Sequence, residues 1–500
     1  MANEKFQELI KFLRDGAGRE LGHTTLEALL KGEGRELMRE LFQAQIDHRG
    51  PGEAAQPVAG ADGVERAQAR VHERGLTTVF GEVRVQRLGY GAPGVESLHP
   101  LDAELNLPVE EYSLGVRRLV AESAAQVSFE ASAERVLQET GKQIGKRQVE
   151  ELAQRAAVDF ESFYAAREID PQVLAASSSV LVVSADGKAV VMLPRDLREG
   201  TRRAAQAGSP KLEKRLTRGE KRNRKRMATV AAVYTVAPYE RSPEQIVRTL
   251  APYHEAAPAR PPVEQKRVWA SLEKSPEEVF EDVFAEAKRR DPKREKTWVG
   301  LVDGNATQLE LLEQLAVKHK VGITIVLDLM HVTEYLWEAS TAFNEEASKK
   351  REQWVGERLL NMLRGKAAQV AAGMRRSATL RGLTEHERKV VDKAAGYLLN
   401  HQQYMHYDQY LAAGLPIASG VIEGACRHLV CDRMDGAARW SLAGAEAVLR
   451  LRALRSSGDF DEYWIYHVAQ EYQRNHVSRY ADGNVVPVKR RGRPALRRVK

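Results

Sequence analysis

The stretch VLVVSADG at residues 180–187 decides the fold prediction, because it is an apolar run that ends on a carboxylate and a glycine. A short apolar run bounded by a turn signal is typical of a strand buried on both faces. We therefore expect a first strand that ends on Asp186, a tight turn at Gly187, and a second strand at AVVML, residues 189–193.

Further apolar runs of the same kind follow along the chain. ATVAAVYTV (228–236) is predicted as a third strand, KTWVGLVDG (296–304) as a fourth that ends on Asp303, and GITIVLD (322–328) as a fifth that ends on Asp328. Helical spacing indicates a helix over residues 306–319, between the last two strands. Three strands in series, then strand–helix–strand, predict an α/β RNase H-like domain.

Composition and spacing assign the rest of the chain. The predicted segments are N-terminal helices at 1–47, a linker at 48–76, a β-hairpin and loop at 77–112, a helix-turn-helix region at 113–170, the first part of the catalytic domain at 171–330, a helical insertion at 331–415, a catalytic helix and C-terminal part at 416–470, and a basic tail at 471–500.

The helix-turn-helix prediction rests on two helices around a turn from Gly141 to Gly145. The second helix begins with Lys146, Arg147 and Gln148, and such units contact base edges from the start of their second helix. An ordinary helical hairpin with a glycine turn has the same spacing.

Bulk composition limits the class of protein. Five hundred residues exceed the size of one hydrophobic core, and 43% apolar residues are typical of globular proteins. The net charge of +7 suits a nucleic-acid partner but also many other soluble proteins. Two cysteines, Cys426 and Cys431, fit a reducing compartment, and we expect no membrane-spanning run of about 20 apolar residues.

Three carboxylates are the candidate catalytic residues. In the RNase H-like topology the first and fourth strands are parallel neighbours, so Asp186 and Asp303 meet, and each precedes a glycine that lets the chain turn away. Glu423, on a later helix, completes an oxygen-rich site suited to Mg²⁺ or Mn²⁺. Two such ions, about 3.5–4 Å apart, support in-line phosphoryl transfer. Asp-Gly is also a common turn dipeptide, and other helical carboxylates are available at Glu338, Glu345 and Glu346.

At this point the sequence resembles the DDE transposases of bacterial insertion sequences, most closely the ISKra group, which is related to Mutator-like elements. The resemblance covers residues 77 to 467. It rests on TVFGEVRVQRLGY (78–90), LHPLDAELNLP (98–108), GKRQVEELAQRAAVDFESFY (145–164), VSADGK (183–188), VGLVDGNATQ (299–308), LDLMHVTEYLW (327–337), GVIEGACRHLVCDRM (420–434) and ARWSLAGAEAVLRLRALRSSGDFDEYW (438–464).

The resemblance implies roles for individual residues. Asp186, Asp303 and Glu423 match the catalytic and metal-binding triad of the family. Trp440 matches a tryptophan that follows the catalytic helix, and Arg427 is assigned with it to the surroundings of the site or to DNA contact.

Asp328 and His331 match an Asp-x-x-His pair that follows the fifth strand in these relatives. The pair either supports the metal site or contacts flanking DNA, or it is simply a capped helix start. Asp328 also ends a strand, so it competes with Asp303 for the role of second ligand.

Two basic segments are predicted to bind DNA phosphates. The stretch from 195 to 226 holds four acidic residues and thirteen Lys or Arg. The basic residues include Lys221, Arg222, Arg224, Lys225 and Arg226. Its alternative is a solvated charged loop. In the tail, Arg491 and Arg493 flank a glycine in an arrangement that resembles an AT-hook, and the alternative is a plain basic arm.

The sequence therefore predicts a transposase that cuts DNA at element ends and joins it to a target. We expect double-stranded DNA as partner (inverted repeats and target), a homodimer or larger oligomer, Mg²⁺ or Mn²⁺ as cofactor, and a bacterial cytoplasmic, nucleoid-associated location. The alternatives are a nuclease of the same fold that cuts without joining, and a non-catalytic DNA-binding regulator.

Overall fold

Strands and helices occupy most of the described chain. The computed structural model describes residues 2–15, 18–208, 223–249, 260–436 and 438–489. Its strands are β1 (Val58–Ala59), β2 (Glu65–Arg66), β3 (Gln68–Thr78), β4 (Gly81–Gly91), β5 (Val180–Val191), β6 (Lys225–Val236), β7 (Glu264–Ser271), β8 (Thr297–Val302) and β9 (Ile323–Leu327).

The helices are more numerous than the strands. They are α1 (Ala2–Arg14), α2 (His23–Arg49), α3 (Pro100–Glu104), α4 (Leu114–Ala124), α5 (Phe129–Thr140), α6 (Lys146–Ala156), α7 (Phe160–Ala166), α8 (Pro171–Ala176), α9 (Glu199–Ala207), α10 (Pro243–Thr249), α11 (Pro276–Arg290), α12 (Ala306–His319), α13 (Leu329–Ser340), α14 (Lys349–Leu363), α15 (Ala367–Leu380), α16 (Glu385–Asn400), α17 (Tyr407–Ala412), α18 (Gly420–Ala425), α19 (Asp432–Met434), α20 (Leu442–Ser457) and α21 (Phe460–Asn475). A π-helical turn (Cys426–Cys431) joins α18 to α19.

The chain divides into two compact units. One contains residues 1–166 together with 459–500, and the other contains residues 167–458. Among the described residues, the second unit holds a mixed five-stranded sheet and many helices, so the fold is mixed α/β.

A long β-hairpin organises the first unit. β3 pairs antiparallel with β4 from Gln68–Gly91 to Thr78–Gly81, and its inner face packs in a core with Val83 and Val85. The prediction of a linker over residues 48–76 is wrong, because β1, β2 and most of β3 lie within it. The first half of β3 is largely exposed, and it therefore lacks the apolar alternation that marks a half-buried strand.

The two helices predicted around the glycine turn are present in the first unit. α5 ends at Gly141, whose φ of 72° is the left-handed conformation that glycine adopts without strain, and α6 begins at Lys146. Both helices pack against α4. The predicted pair of helices around a glycine turn is therefore present.

The central sheet of the second unit has the strand order β7-β6-β5-β8-β9. β5 is antiparallel to β6 and parallel to β8, β6 is antiparallel to β7, and β8 is parallel to β9. β6 is therefore antiparallel to both of its neighbours. The parallel pairing in the sheet begins at β5 and β8 and continues to β9.

Two details of the strand prediction are wrong. The first and second predicted strands are one strand, β5, in which Asp186 and Gly187 pair with Val230 and Thr229 of β6. Because this antiparallel pairing continues past Gly187, the backbone has no need to turn there. β7 was not predicted at all, because charged residues such as Arg267 interrupt its apolar pattern.

Helices cover the sheet and extend beyond it. α20 packs against β7, and α11 packs against β6 and β5. The segment from α13 to α17 is helical, as the sequence predicts for residues 331–415. Within the described ranges, no helix combines the length and apolar character needed to cross a membrane.

Candidate active site

Strand register brings Asp186 and Asp303 together. β5 and β8 pair in parallel from Val180–Thr297 to Ser184–Leu301. Asp186 and Asp303 each follow the last paired residue by two positions, so the same register places them side by side. The Gln308 amide, oriented so that its NH₂ group faces oxygens, donates to Asp303 Oδ1 at 3.1 Å and to the carbonyl oxygen of Ala185 at 3.3 Å. One side chain thus bridges the ends of both strands.

The turn after Asp303 depends on glycine. Gly304 has a φ of +87°, and a Cβ there would lie 2.7 Å from Tyr397 Oη and 2.8 Å from Leu327 Cδ1. Tyr397 donates its hydroxyl to the carbonyl oxygen of Asp303 at 2.9 Å, and its ring stacks on Tyr335 with centroids 3.8 Å apart. The expectation that a glycine releases the chain after the aspartate is confirmed at Gly304.

Asp186 is held by three donors. Its Oδ2 lies 2.8 Å from Lys188 Nζ and accepts the Cys426 thiol at 3.2 Å, while Oδ1 accepts the Gly187 amide at 2.6 Å. The hydrogen bond to Asp186 raises the pKa of Lys188, so its ammonium stays charged. Burial raises the pKa of the Cys426 thiol, and the Asp186 charge adds to that effect, so the thiol is protonated and donates.

Glu423 lies on α18, near Asp328 and His331, and the charge of Lys188 also acts on it. Ile422 and Ala425 are buried while Glu423 is exposed. Cys426 follows Glu423 by three residues and so shares its side of the helix, and Cys426 contacts Asp186. The π-helical turn that begins at Cys426 is a rare feature that is frequently found at functional sites.

Neighbouring carboxylates affect the pKa of Glu423. Its pKa is raised, first by partial burial and then by the charge of Asp328, with a further contribution from Glu334. His331 and Lys188 oppose the shift. A group in this setting gains from a nearby divalent cation, because the cation removes the like-charge repulsion.

Among the described residues, the group close enough to share a metal ion with Glu423 contains Asp328 and His331, and neither Asp186 nor Asp303 belongs to it. One possible metal-ligand atom from each of the three residues lies within 4.8 Å of the other two. Asp328 is buried and caps α13, since its Oδ1 accepts the Met330 amide at 2.7 Å. Its Oδ2 accepts both the amide of Ser419, at 3.1 Å, and the Ser419 hydroxyl. The capping interpretation of Asp328 is therefore correct, and the same residue ties α13 to the start of α18.

Trp440 and Arg427 occupy different surroundings. The Trp440 amide donates to the carbonyl of Val191 at 3.0 Å, so its backbone extends the end of β5. Its buried indole lies under the Arg433 guanidinium, 4.6 Å from the ring centroid. The Arg427 side chain is 76% exposed, and its Nε lies 3.5 Å from Asp432 Oδ1.

The predicted base-reading residues of α6 are all exposed. Lys146 Nζ lies 2.7 Å from Glu130, and Arg147 Nε lies 3.0 Å from Glu151. The Gln148 side chain accepts the backbone amide at the start of the helix at 2.8 Å and so acts as a cap. Lys146 and Arg147 present positive charge to solvent, whereas Gln148 is already engaged.

The predicted basic segments lie largely outside the described residues. Lys221, Arg222, Arg491 and Arg493 all belong to stretches for which no structure is described. Arg224 is partly buried and Lys225 is exposed at the start of β6. Arg226 donates to the carbonyls of Leu272 at 2.8 Å and Asp196 at 3.1 Å, so its guanidinium serves the protein's own backbone.

The sequence pattern did not assign four residues to this site, namely Lys188, Cys426, Gln308 and Tyr397. Lys188 could have been found, because alternate residues of a continuous strand share a face and Lys188 follows Asp186 by two. No sequence signal connects Tyr397 with Asp303, since a helical segment of unknown packing separates them.

The arrangement offers carboxylate oxygens at one sheet edge, with an ammonium and two tyrosines beside them. Hard divalent cations prefer such oxygen ligands. The family models that were searched give no match to this chain, and no curated protein matches it.

Proposed function

We propose that the chain is an RNase H-like, metal-dependent DNA transposase of the DDE type. The observation that carries the proposal is the shared register of β5 and β8, which sets Asp186 beside Asp303. The sheet order, with one antiparallel strand next to the first, agrees with an RNase H-like arrangement. Glu423 supplies the third carboxylate from a helix whose next turn touches Asp186.

The side chains present fit a magnesium or manganese site. Asp186, Asp303 and Glu423 offer oxygen ligands, and burial together with the charge of Asp328 raises the pKa of Glu423, an effect that a nearby divalent cation would relieve. When bound, a pair of such ions activates an attacking oxygen and stabilises a leaving one.

The chain's own groups prepare this site. Gln308 and Tyr397 hold the Asp303 turn, the first through a side-chain oxygen and the second through a backbone carbonyl. Lys188 forms an ion pair with Asp186 at 2.8 Å, and its ammonium is a donor that suits a phosphate oxygen. α6, with Lys146 and Arg147 exposed at its start, is the part that we expect to read the element ends.

A second candidate uses a different set of ligands. Asp328, His331 and Glu423 form a compact group that suits a single ion with one nitrogen ligand. A nuclease built on that group would cut DNA without joining it. The position of Asp328 argues against it, because Asp328 is buried and caps α13, whereas the Asp186 side chain is 20% exposed.

The test is incubation of the full chain with the DNA that flanks its own reading frame, a target duplex and Mg²⁺, followed by mapping of nicks and joints. We expect Asp186→Asn, Asp303→Asn and Glu423→Gln each to abolish cleavage and joining while DNA binding survives. Glu346→Gln, which changes an exposed carboxylate in the loop between α13 and α14 and not, as the sequence suggested, on a helix, is the matched control and should retain activity. Cleavage without joining by the wild-type chain would support the nuclease, and DNA binding without either reaction would support a regulator.

A further inference from the structure

The first unit contains a basic cavity that has no part in the proposed catalysis. Its volume is about 320 Å³, and its walls come from β3, β4, the segment 96–109 that contains α3, and the end of α21 with the residues that follow it. Three arginines line it: Arg74 from β3, Arg87 from β4, and Arg479 from beyond α21. The volume is at the lower end of the range for small-molecule sites.

Positive charge exceeds negative charge in the lining. The two carboxylates are Asp102, which pairs with Arg87, and Glu96, which lies 3.0 Å from Arg479. The Glu96 side chain is 89% exposed, so solvent screens its charge. The cavity is therefore lined by three guanidinium groups and two carboxylates, of which Asp102 is paired with Arg87 and Glu96 is exposed to solvent.

Two histidines in the lining have lowered pKa values, and the neighbouring arginines contribute to both shifts. Burial lowers the pKa of His99 to about 3, with Arg87 as the next cause, and lowers that of His476 to about 4. Burial also lowers the pKa of Arg87 to about 10, and repulsion from Arg74 and Arg479 adds to the effect. Both histidines are neutral at physiological pH, and the arginines crowd one another.

Polar atoms in the wall of the cavity lack hydrogen-bond partners. Within the described residues, the Arg87 Nε–H, the Tyr480 hydroxyl and Asp102 Oδ1 are buried and make no hydrogen bond. Tyr480 is only 2% exposed, and the cost of leaving such a group unpaired is about 1–3 kcal/mol. Two of these three atoms are donors, and both belong to residues that line the cavity.

We propose that this cavity binds a phosphate group, with Arg74, Arg87 and Arg479 supplying charge and the Tyr480 hydroxyl supplying a hydrogen bond. A tetrahedral oxyanion offers several acceptors at once and suits forked guanidinium donors. The phosphate belongs either to a DNA backbone or to a small phosphorylated molecule. Ion pairs with Asp102 and Glu96 account for the positions of Arg87 and Arg479. They leave the Arg87 Nε–H and the Tyr480 hydroxyl without an acceptor, and a bound phosphate oxygen would supply one.

The first arm of the test measures binding of inorganic phosphate to the full chain by calorimetry, at constant ionic strength against chloride. We expect wild type to bind, and Tyr480→Phe to bind about tenfold more weakly, because one hydrogen bond to a charged group is lost. Tyr480→Phe should keep its thermal stability, since the hydroxyl has no partner among the described residues. Arg84→Gln, a 77% exposed arginine of the same hairpin, should bind phosphate as wild type does.

The second arm separates the two sources of phosphate. If a DNA backbone is the ligand, Arg479→Gln lowers the slope of log affinity against log salt by about 0.9 and Arg84→Gln leaves it unchanged. If a small phosphate is the ligand, inorganic phosphate binds and neither variant alters the DNA slope.

The proposal is overturned if phosphate does not bind and Arg479→Gln behaves like Arg84→Gln on DNA. It is equally overturned if phosphate binds but Tyr480→Phe and Arg479→Gln bind it as wild type does. Neither result bears on Asp186, Asp303 or Glu423.

Discussion

Replacement of Gly304 by alanine should damage the second unit far more than the same change at Gly187, although both glycines follow an aspartate that we propose to be catalytic. At Gly304 the φ of +87° disfavours any L-residue, by about 1–2 kcal/mol. The new Cβ would also lie 2.7 Å from Tyr397 Oη, so the hydrogen bond from Tyr397 to Asp303 breaks at a cost of about 1 kcal/mol. Displacement of Leu327 adds about 1 kcal/mol or more, for a total of roughly 3–5 kcal/mol.

Gly187 is a different position. It lies inside β5 with a φ outside the left-handed region, and a Cβ there would meet only Met227 Cε at 3.0 Å. The Met227 side chain is half exposed and flexible, and alanine is favoured over glycine within a strand by about 0.5–1 kcal/mol. We therefore expect Gly187→Ala to change the free energy of unfolding by less than about 1 kcal/mol.

The assay is urea unfolding of both variants, followed by tryptophan fluorescence, with Mg²⁺-dependent DNA cleavage as a second readout. Tyr397→Phe is an intermediate control that removes the hydrogen bond and leaves the backbone alone, so it should lose about 1 kcal/mol. Gly322→Ala, where a Cβ meets nothing within 4 Å, should be neutral. Equal destabilisation by Gly304→Ala and Gly187→Ala would refute the reasoning.

Three further predictions concern the surroundings of the site. Ser419→Ala should lower the free energy of unfolding by about 1.5–3 kcal/mol, because it removes a hydroxyl that donates to the buried Asp328 carboxylate, and unchanged urea stability would contradict this. The raised pKa of Glu423 means that the folded state holds its proton more tightly than the unfolded chain, so stability is present at acid pH and lost as pH rises above the usual glutamate range. In EDTA, Glu423→Gln should therefore gain stability over wild type as pH rises from 4 to 7, and a constant difference would count against it. Lys188→Gln removes an ammonium 2.8 Å from Asp186 and should tighten Mn²⁺ binding about tenfold in a titration, whereas weaker binding would show that Lys188 only orders the strand.

Continuous apolar runs made most of the central sheet predictable. β5, β6, β8 and β9 each contain several consecutive apolar residues, and all were found from sequence. β7 was not predicted, because an arginine such as Arg267 is expected at the surface. In the structure Arg267 is buried and forms an ion pair with Glu286. A sequence pattern cannot distinguish a buried, paired arginine from an exposed one.

Of the two predicted turns at Asp-Gly pairs, one is present in the structure. The turn at Gly304 is real, but Gly187 continues a strand, because pairing with β6 satisfies its backbone. Local sequence is nearly the same at the two positions, so only the partner strand decides between them. The β3 strand was hidden in a predicted linker for a related reason, since its exposed first half is held by β4 and not by an apolar face.

The candidate site was predictable where topology fixes it and unpredictable where the helical segment contributes. The parallel pairing of β5 with β8 is what the sequence predicted, and it places Asp186 beside Asp303. The contacts of Tyr397 with Asp303 and of Ser419 with Asp328 span about ninety residues of intervening chain. Such contacts depend on how α13 to α18 pack, which periodicity alone does not specify.

The most direct test of the central claim is to locate the metal by iron-mediated cleavage of the polypeptide. Fe²⁺ replaces Mg²⁺ at oxygen-rich sites, and with ascorbate and peroxide it cuts the backbone close to where it is bound. We expect cuts near residues 186, 303 and 423 together, protection by excess Mg²⁺, and loss of all three cuts in both Asp186→Asn and Asp303→Asn. Cuts confined to residues 328–331 and 423, unchanged in those two variants, would contradict the assignment of Asp186, Asp303 and Glu423 as one metal site.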